Sequence, residues 1–162
     1  MNLITLDFET YYTTKDLGFK TQTTEEYVRD PRFEVVGVAV KVNNEPTQWC
    51  SDSLDEIDLW LHQFDWDNSM VIAHNAMFDM AILNWHFDIR PKAIADTLSM
   101  ARAINGIEVG NSLKKLALHY ELGVKGEEVL QAVNLRRRDR FAGMVAGRLR
   151  SLRPLLHPHG LA

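Results

Sequence analysis

The chain has 162 residues, of which 46% are hydrophobic and 25% are charged, and this composition is typical of one soluble globular domain. Cys50 is its only cysteine, so the sequence excludes an intramolecular disulfide and a site built from several thiolates. A lone cysteine also suits a reducing compartment. No basic segment followed by a long apolar stretch opens the chain, and no apolar run approaches the ~18 residues that span a bilayer. We therefore expect a cytoplasmic protein without a membrane partner.

Acidic and basic residues are distributed unevenly along the chain. Residues 1–128 contain 11 Lys and Arg against 21 Asp and Glu, whereas residues 129–162 contain seven Arg, no Lys and a single acid. From Val133 onward the sequence is rich in Arg, Leu, Pro and His. This change predicts a domain of residues 1–132 followed by a divergent, Arg-rich tail of residues 133–162.

The first part of the domain predicts strands interrupted by two short helices. Strands are predicted at Leu3–Glu9, Phe33–Val42 and Pro46–Cys50, where β-branched and apolar residues predominate. Asn43-Asn44 predicts the hairpin turn between the last two. Helices are predicted after Thr23 and after the cap residues Ser51–Ser53. The buried face of the second helix is predicted to contain Leu54, Ile57, Leu61 and Phe64.

The second part predicts strands alternating with helices. Strands are predicted at Met70–Ala73 and Ala93–Ala95, and helices begin at about Ala76, at Leu98 and after Ser112. This alternation predicts an α/β fold with a mixed sheet. The expected buried residues of the first and third of these helices are Phe78, Ala81, Ile82 and Trp85, and Leu113, Leu116, Ala117 and Tyr120. Trp60, Phe64 and Trp85 are expected in the core.

Two acidic residues, Asp7 and Glu9, close the first predicted strand after an apolar run. Side chains two residues apart share a face of a strand, so both carboxylates point the same way and Phe8 points the opposite way. Carboxylates that share a face repel each other unless a cation lies between them. A hard divalent cation such as Mg²⁺ takes oxygen ligands. The pair therefore predicts half of a metal site, with two solvated acids at a strand end as the alternative.

A third acidic position, Asp79, follows the fourth predicted strand. It falls in the first turn of the next helix, where the helix dipole already favours an acid. Strand ends of an open α/β sheet are also where sites form, so we expect Asp79 to join Asp7 and Glu9 around a cation. For Asp96, helix capping is favoured over an indirect role at the site. For His74, a hydrogen-bonded structural role is favoured over ligation.

Two motifs carry a family resemblance. Asp7-Phe8-Glu9-Thr10 resembles the first motif, and Asn75-Ala76-Met77-Phe78-Asp79 the second, of the DEDD 3′–5′ exonuclease superfamily. Residues 1–132 are also similar to the exonuclease domains at the front of phage-type family-A DNA polymerases. Further segments that contribute to this likeness are Thr24–Tyr27, Asp30–Phe33, Ser112–Leu116 and Gly123–Gly126. The two motifs together, in order and at strand ends, form a specific signal.

The resemblance implies a ribonuclease-H-like fold, in which a mixed β-sheet is flanked by helices. It also implies that Asp7, Glu9 and Asp79 are the catalytic residues and hold two Mg²⁺ or Mn²⁺ ions, which clamp a scissile phosphate. The residues implied to contact the terminal nucleotide are Phe8, Thr10 and Asn75. Those implied to support the site are His74, Phe78 and Asp96.

The activity implied by the resemblance is removal of nucleotides from the 3′ end of single-stranded DNA. Such hydrolysis serves proofreading during DNA replication, beside a DNA polymerase domain or subunit, in a bacterial or phage-infected cell. A ribonuclease of the same superfamily is an alternative. The cluster formed by Arg136, Arg137, Arg138 and Arg140 could bind phosphates, and a disordered tail explains it at least as well.

The third motif of the superfamily, a Tyr (or His) followed by a metal-binding Asp, is absent. No tyrosine follows Tyr120, and the only aspartate after Asp96 is Asp139. The residues after Val133 resemble an out-of-frame translation of a GC-rich gene, so we hypothesise a frameshift there and a fold truncated at its C-terminal end. We therefore expect very low activity. The alternative is an inactive remnant or a nucleic-acid-binding fragment.

Overall fold

The computed structural model describes residues 1–105, residues 108–122 and Arg136. The strands are β1 (Asn2–Thr10), β2 (Val35–Val42), β3 (Gln48–Cys50), β4 (Ser69–Ala73) and β5 (Ala93–Asp96). The helices are α1 (Thr24–Val28), α2 (Leu54–Leu61), α3 (Ala76–Phe87), α4 (Thr97–Asn105) and α5 (Leu113–His119). A 3-10 turn over Trp66–Asn68, which was not predicted, precedes β4.

The strands of the described residues form one sheet in the order β3-β2-β1-β4-β5. β1 lies at its centre and pairs antiparallel with β2 from Ile4 to Thr10. On its other side β1 pairs parallel with β4, but only from Asn2 to Thr5. β5 extends the parallel part, whereas β3 is joined antiparallel to β2. The mixed sheet with helices between its parallel strands confirms the predicted α/β fold.

Side chains of β1 alternate between the core and the opposite face. Ile4, Leu6 and Phe8 are at most 4% exposed, whereas Asp7 is exposed and Glu9 is half-buried. The core face of the sheet packs against α2 and α3. Their core residues are Ile57 and Leu61 on α2, and Ala81, Ile82, Leu83 and Phe87 on α3. Each large apolar side chain buried there contributes about 1.5–3 kcal/mol, so the core fixes the direction of the β1 carboxylates.

Helix starts follow the predicted cap residues. Thr23 and Ser53 each accept a hydrogen bond from the backbone of a glutamate three residues later, and that glutamate accepts one in return. These capping boxes satisfy N–H groups that the first turn of a helix leaves unpaired. Ser112 caps α5 in a simpler way, by accepting from the Lys115 N–H.

Four of the residues that we expected to be buried are exposed, so these predictions are wrong. Trp85 is 42% exposed, because its ring lies on the surface under the Arg29 guanidinium, 4.3 Å from the ring centroid. Leu54 and Leu113 are 40% and 44% exposed, because each is the first residue of its helix, α2 and α5 respectively. Tyr120 is 47% exposed and caps the end of α5, with its hydroxyl donating to Asn105 Oδ1 at 2.6 Å. Trp60 and Phe64 do pack against the core, as expected.

Most of the Arg-rich tail lies outside the described residues, and so do Gly123–Gly126 and the position of the hypothesised frameshift. Of the arginine cluster, Arg136 alone is described. Within the described residues, no helix combines the length and the apolar character required to traverse a lipid bilayer.

Candidate active site

The end of β1 is open on one side. Its pairing with β4 stops at Thr5, whereas its pairing with β2 continues to Thr10. The chain leaves β4 at Ala73 and enters α3 at Ala76, so the first turn of α3 lies beside the open edge. In open α/β sheets, ligands bind outside the carboxyl ends of strands where the chain changes direction across the sheet.

Asp79 projects from α3 onto this edge. Its side chain is 3% exposed, and its Oδ1 accepts a hydrogen bond of 3.0 Å from the Phe8 N–H. Phe8 lies between Asp7 and Glu9 in the chain, so Asp79 contacts the short backbone segment that carries both acids. The Phe8 side chain is turned into the core, where it stacks against Phe87.

Asp79 is in an environment that disfavours a negative charge. Burial, the negative charge of Asp7 and, less strongly, that of Glu9 raise the pKa of Asp79 to about 8. The Phe8 N–H opposes this shift, because it donates to the carboxylate. A divalent cation beside these acids would remove the electrostatic cost of ionising Asp79.

The donor chemistry at this position fits a hard divalent cation. Asp7, Glu9 and Asp79 supply only carboxylate oxygens, which Mg²⁺ and Mn²⁺ favour. As they stand, however, no group of three or more His, Cys, Asp or Glu in the part of the chain that the structure describes is arranged to hold a metal ion. The fit is therefore one of charge and ligand type, and the described residues do not form a complete cage.

Asp96 fixes the turn that precedes Asp79. Its Oδ1 accepts from the N–H groups of Asn75, Ala76 and Leu98 at 2.9, 3.2 and 3.0 Å. Its Oδ2 accepts from the Ser99 hydroxyl at 2.7 Å. Burial alone would raise its pKa, but the hydrogen bonds from Ser99 and the three N–H groups outweigh burial and lower the pKa of Asp96 to about 2. One carboxylate thus caps the starts of both α3 and α4.

Asn75 and His74 adjoin this cap. Asn75 has a left-handed backbone, with φ 70° and ψ 51°, which asparagine tolerates better than most residues. His74 has Nδ1 3.0 Å from Thr97 Oγ1 and Nε2 3.0 Å from the Asn111 carbonyl oxygen. Because a carbonyl only accepts, Nε2 carries a proton. His74 therefore links β4 to α4 and to the start of α5.

A pocket of about 310 Å³ opens beside Glu9 and Thr10. Its walls are mainly aromatic: Phe78 packs edge-on against Phe19 at 4.8 Å and stacks on Tyr27 at 6.0 Å. The remaining lining residues are Phe8, Tyr12, Thr13, Thr14, Gly18 and Lys20. Thr10 was predicted to contact substrate, and Phe78 to support the site, whereas the wall from Tyr12 to Tyr27 was not predicted. The only sequence signal for this wall is the concentration of aromatic residues in the turn-rich segment after β1.

The mixed five-stranded sheet with flanking helices is similar to ribonuclease-H-like exonuclease folds. A sequence model of the family described as 3′–5′ exonuclease matches residues 8–142, which continues past the composition change at Val133. The chain therefore belongs to the 3′–5′ exonuclease family. Exonucleases of this family act on nucleic acid. No curated protein sequence matches the chain.

Three of the solved structures that are similar to this chain share its fold at low sequence identity. NrnC of Brucella melitensis with bound Mg²⁺ has a TM-score of 0.58 and 13% identity, over 92% of this chain and 74% of NrnC. The family B DNA polymerase of Pyrobaculum calidifontis has a TM-score of 0.59 and 14% identity, over 97% of this chain and 23% of the polymerase. RNase D of Trypanosoma brucei, in complex with RNA U12, has a TM-score of 0.55 and 15% identity, over 98% of this chain and 56% of RNase D. At such identities the likeness shows the shared fold.

Proposed function

We propose that the chain is a proofreading-type 3′–5′ exonuclease domain that removes nucleotides from the 3′ end of single-stranded DNA, with low activity in its present form. The observation that carries the proposal is the contact of Asp79 with the backbone between Asp7 and Glu9. It supports a single acidic centre made from both sequence motifs. Family membership supports the direction of hydrolysis.

Asp7, Glu9 and Asp79 would hold two Mg²⁺ or Mn²⁺ ions at this centre. Metal ions bound there would supply activation of a water molecule and stabilisation of charge at the scissile phosphate and its leaving 3′ oxygen. The chain contributes orientation: the β1 core holds Asp7 and Glu9 on one face, and the Phe8 N–H holds Asp79. Asp96 fixes the turn from which α3 carries Asp79.

The aromatic pocket supports binding of the terminal nucleotide. A base stacked on an aromatic ring contributes about 1–3 kcal/mol, and stacking tolerates any base. Thr10 and Phe78 line the pocket beside Glu9, so a base seated there would bring its own phosphate towards the carboxylates. Asn75 lies at the adjoining turn and would contact the sugar or phosphate, and Phe8 would contribute through its place in the pocket wall.

We propose low activity because no Tyr-x-x-x-Asp motif follows Tyr120 anywhere in the amino-acid sequence. Such a group would orient the water and complete the ligand set. The same absence favours the second candidate, an inactive remnant that binds nucleic acid without cutting it. We further propose a DNA polymerase domain or subunit as partner and the cytoplasm of a bacterial or phage-infected cell as location. The polymerase partner is supported by the family B DNA polymerase, because this chain matches only 23% of that longer chain.

The proposal is tested with the whole chain, Mn²⁺ and a 3′-labelled single strand, supplied as DNA and as RNA of equal sequence. We expect slow release of labelled mononucleotide from DNA, abolished by EDTA and by Asp7→Ala. Asp67→Asn, at an exposed position outside the site, is the matched control and should release label at the wild-type rate.

Each other outcome selects an alternative. Release that persists in Asp7→Ala contradicts the proposed centre. Faster release from RNA than from DNA replaces the proofreading role by a ribonuclease. Binding of the strand with no release in any metal supports the inactive remnant.

A further inference from the structure

β2 contains a bulge opposite the end of β1, beside Glu9. Pairing with β2 shifts between Glu9, opposite Gly37, and Thr10, opposite Val35. One residue of β2, Val36, is thereby left without an opposite partner. Bulges of this kind redirect side chains and are common beside active sites. The pairing resumes beyond the bulge, where the Tyr11 N–H donates to the Glu34 carbonyl oxygen at 2.9 Å.

Arg136 binds both residues of that last pair. Its Nη1 lies 3.4 Å from Glu34 Oε2, and its guanidinium lies over the Tyr11 ring, 4.0 Å from the centroid. The Arg136 and Glu34 side chains are 28% and 16% exposed, so water screens this ion pair less than it screens a surface pair. One side chain, 102 residues from Glu34 in sequence, therefore clamps β1 to β2 immediately after the bulge.

Hydrogen bonds connect the clamp to the candidate site. The Tyr11 carbonyl accepts from the Tyr27 hydroxyl at 2.7 Å, and the same hydroxyl is 2.8 Å from Thr10 Oγ1. Thr10 and Tyr27 line the aromatic pocket together with Glu9. A shift of Tyr11 would consequently move the pocket wall and the strand segment that carries Glu9.

We propose that Arg136 is a positioning residue for the exonuclease centre, acting through Glu34 and Tyr11 on the end of β1 that carries Glu9, opposite the bulge in β2. The effect of Arg136 on an exonuclease centre rests on the proposed function, whereas its contacts with Glu34 and Tyr11 do not. It assigns Arg136 a role different from the phosphate contact suggested by the arginine cluster in the sequence. A phosphate-binding Arg136 would affect strand binding and leave the β1 end unchanged.

The test compares Arg136→Gln and Glu34→Gln with a chemically matched control, Arg29→Gln. Arg29 also stacks on an aromatic ring, that of Trp85, and pairs with a glutamate, Glu25, at 3.2 Å, but outside the site. Two properties are measured on the whole chain: hydrogen exchange of the Tyr11 amide, and Mn²⁺ affinity from the signal of free Mn²⁺ in electron paramagnetic resonance.

We expect Arg136→Gln and Glu34→Gln to speed Tyr11 exchange about tenfold and to weaken Mn²⁺ binding severalfold, with neither property changed in Arg29→Gln. Arg136→Lys, which keeps the charge, should restore part of both. Tyr11 exchange within twofold of wild type in Arg136→Gln overturns the proposal, and so does faster exchange with unchanged Mn²⁺ affinity. A wild-type chain that neither binds Mn²⁺ nor releases nucleotide overturns the proposed function instead, since the exchange result is independent of metal.

Discussion

At the scale of single residues, we expect Asp79 to destabilise the metal-free fold although the proposed chemistry requires it. Asp79→Asn keeps an oxygen that accepts from the Phe8 N–H but removes a buried carboxyl near Asp7 and Glu9. Without metal, we expect this variant to be more stable towards urea than wild type by about 1–3 kcal/mol at neutral pH, because the folded state no longer holds the buried acid. With Mn²⁺, nucleotide release should be lost.

The control for this prediction is Asp67→Asn, which should alter neither urea stability nor nucleotide release. A decrease in the stability of metal-free Asp79→Asn would show that the carboxyl group makes favourable contacts beyond the Phe8 N–H, contrary to the electrostatic description of the site.

Asn75 allows a backbone requirement to be separated from a substrate contact. Because its φ is 70°, replacement by alanine should destabilise the chain by about 1–2 kcal/mol, whereas glycine should cost less. Both variants lack the amide side chain. If that side chain contacts the nucleotide, both variants should raise the KM for the single strand equally. Thermal unfolding of each variant measures the stability change separately. A higher KM in the alanine variant alone would contradict the proposed contact.

The sequence predicted which acids flank the site but not their environments. Asp7 and Glu9 could be placed on one face because strand alternation is strict and local. The near-complete burial of Asp79 could not be predicted, because it depends on β4 ending earlier than β1, which is a property of two strands distant in sequence. Trp85 was misplaced for a related reason: helical spacing identifies a face, while its partner Arg29 comes from another helix.

At the scale of elements, the junction of β4, α3, β5 and α4 depends on one carboxylate. Asp96 accepts four hydrogen bonds that begin two helices, and its pKa is lowered to about 2. A depressed pKa stabilises the folded state above the ordinary pKa of about 3.9, and this contribution is lost as the pH falls towards 2. Asp96→Asn should therefore lower the free energy of unfolding at pH 6 by about 1–2 kcal/mol.

The pH dependence gives the check on this prediction. The difference in free energy of unfolding between wild type and Asp96→Asn, measured in urea, should shrink from pH 5 to pH 2. Ser99→Ala, which removes one donor to the same carboxylate, should show a smaller difference with the same pH dependence. A difference that stays constant across this range would mean that the charge of Asp96 is not what stabilises the caps.

Element positions were predicted well because their signals are local. Capping residues and β-branched runs lie within each helix or strand, so Thr23, Ser53 and the segment Val35–Val42 could be interpreted without tertiary information. The bulge in β2 opposite Glu9 could not be predicted from local signals. It lies beside Gly37, where an added Cβ would collide with the Trp49 ring, and that close approach of β3 has no sequence signature beyond the glycine itself.

At the scale of the whole molecule, the domain is acidic and the arginines are concentrated at the other end of the chain. The frameshift hypothesis explains this division and the missing third motif together. It predicts that an alternative frame of the gene beyond Val133 encodes a Tyr-x-x-x-Asp within a short distance. If sequencing the gene finds no such motif in either alternative frame, the hypothesis is wrong. If it finds one, a chain carrying that segment should release nucleotide far faster than the present chain.

The alternation of β1 has a consequence for selection experiments. The core requires Ile4, Leu6 and Phe8 to face inward, and thereby determines where Asp7 and Glu9 point, but it does not require them to be acids. Their charges disfavour ionised Asp79 nearby. In a variant library sorted for folding alone, neutral residues at these positions should be enriched, whereas sorting for nuclease activity should deplete them. At Asp7, the two selections should enrich different residues, whereas at Phe8 both should retain the same apolar residues. This comparison would show which residues of β1 serve the chemistry and which serve the fold.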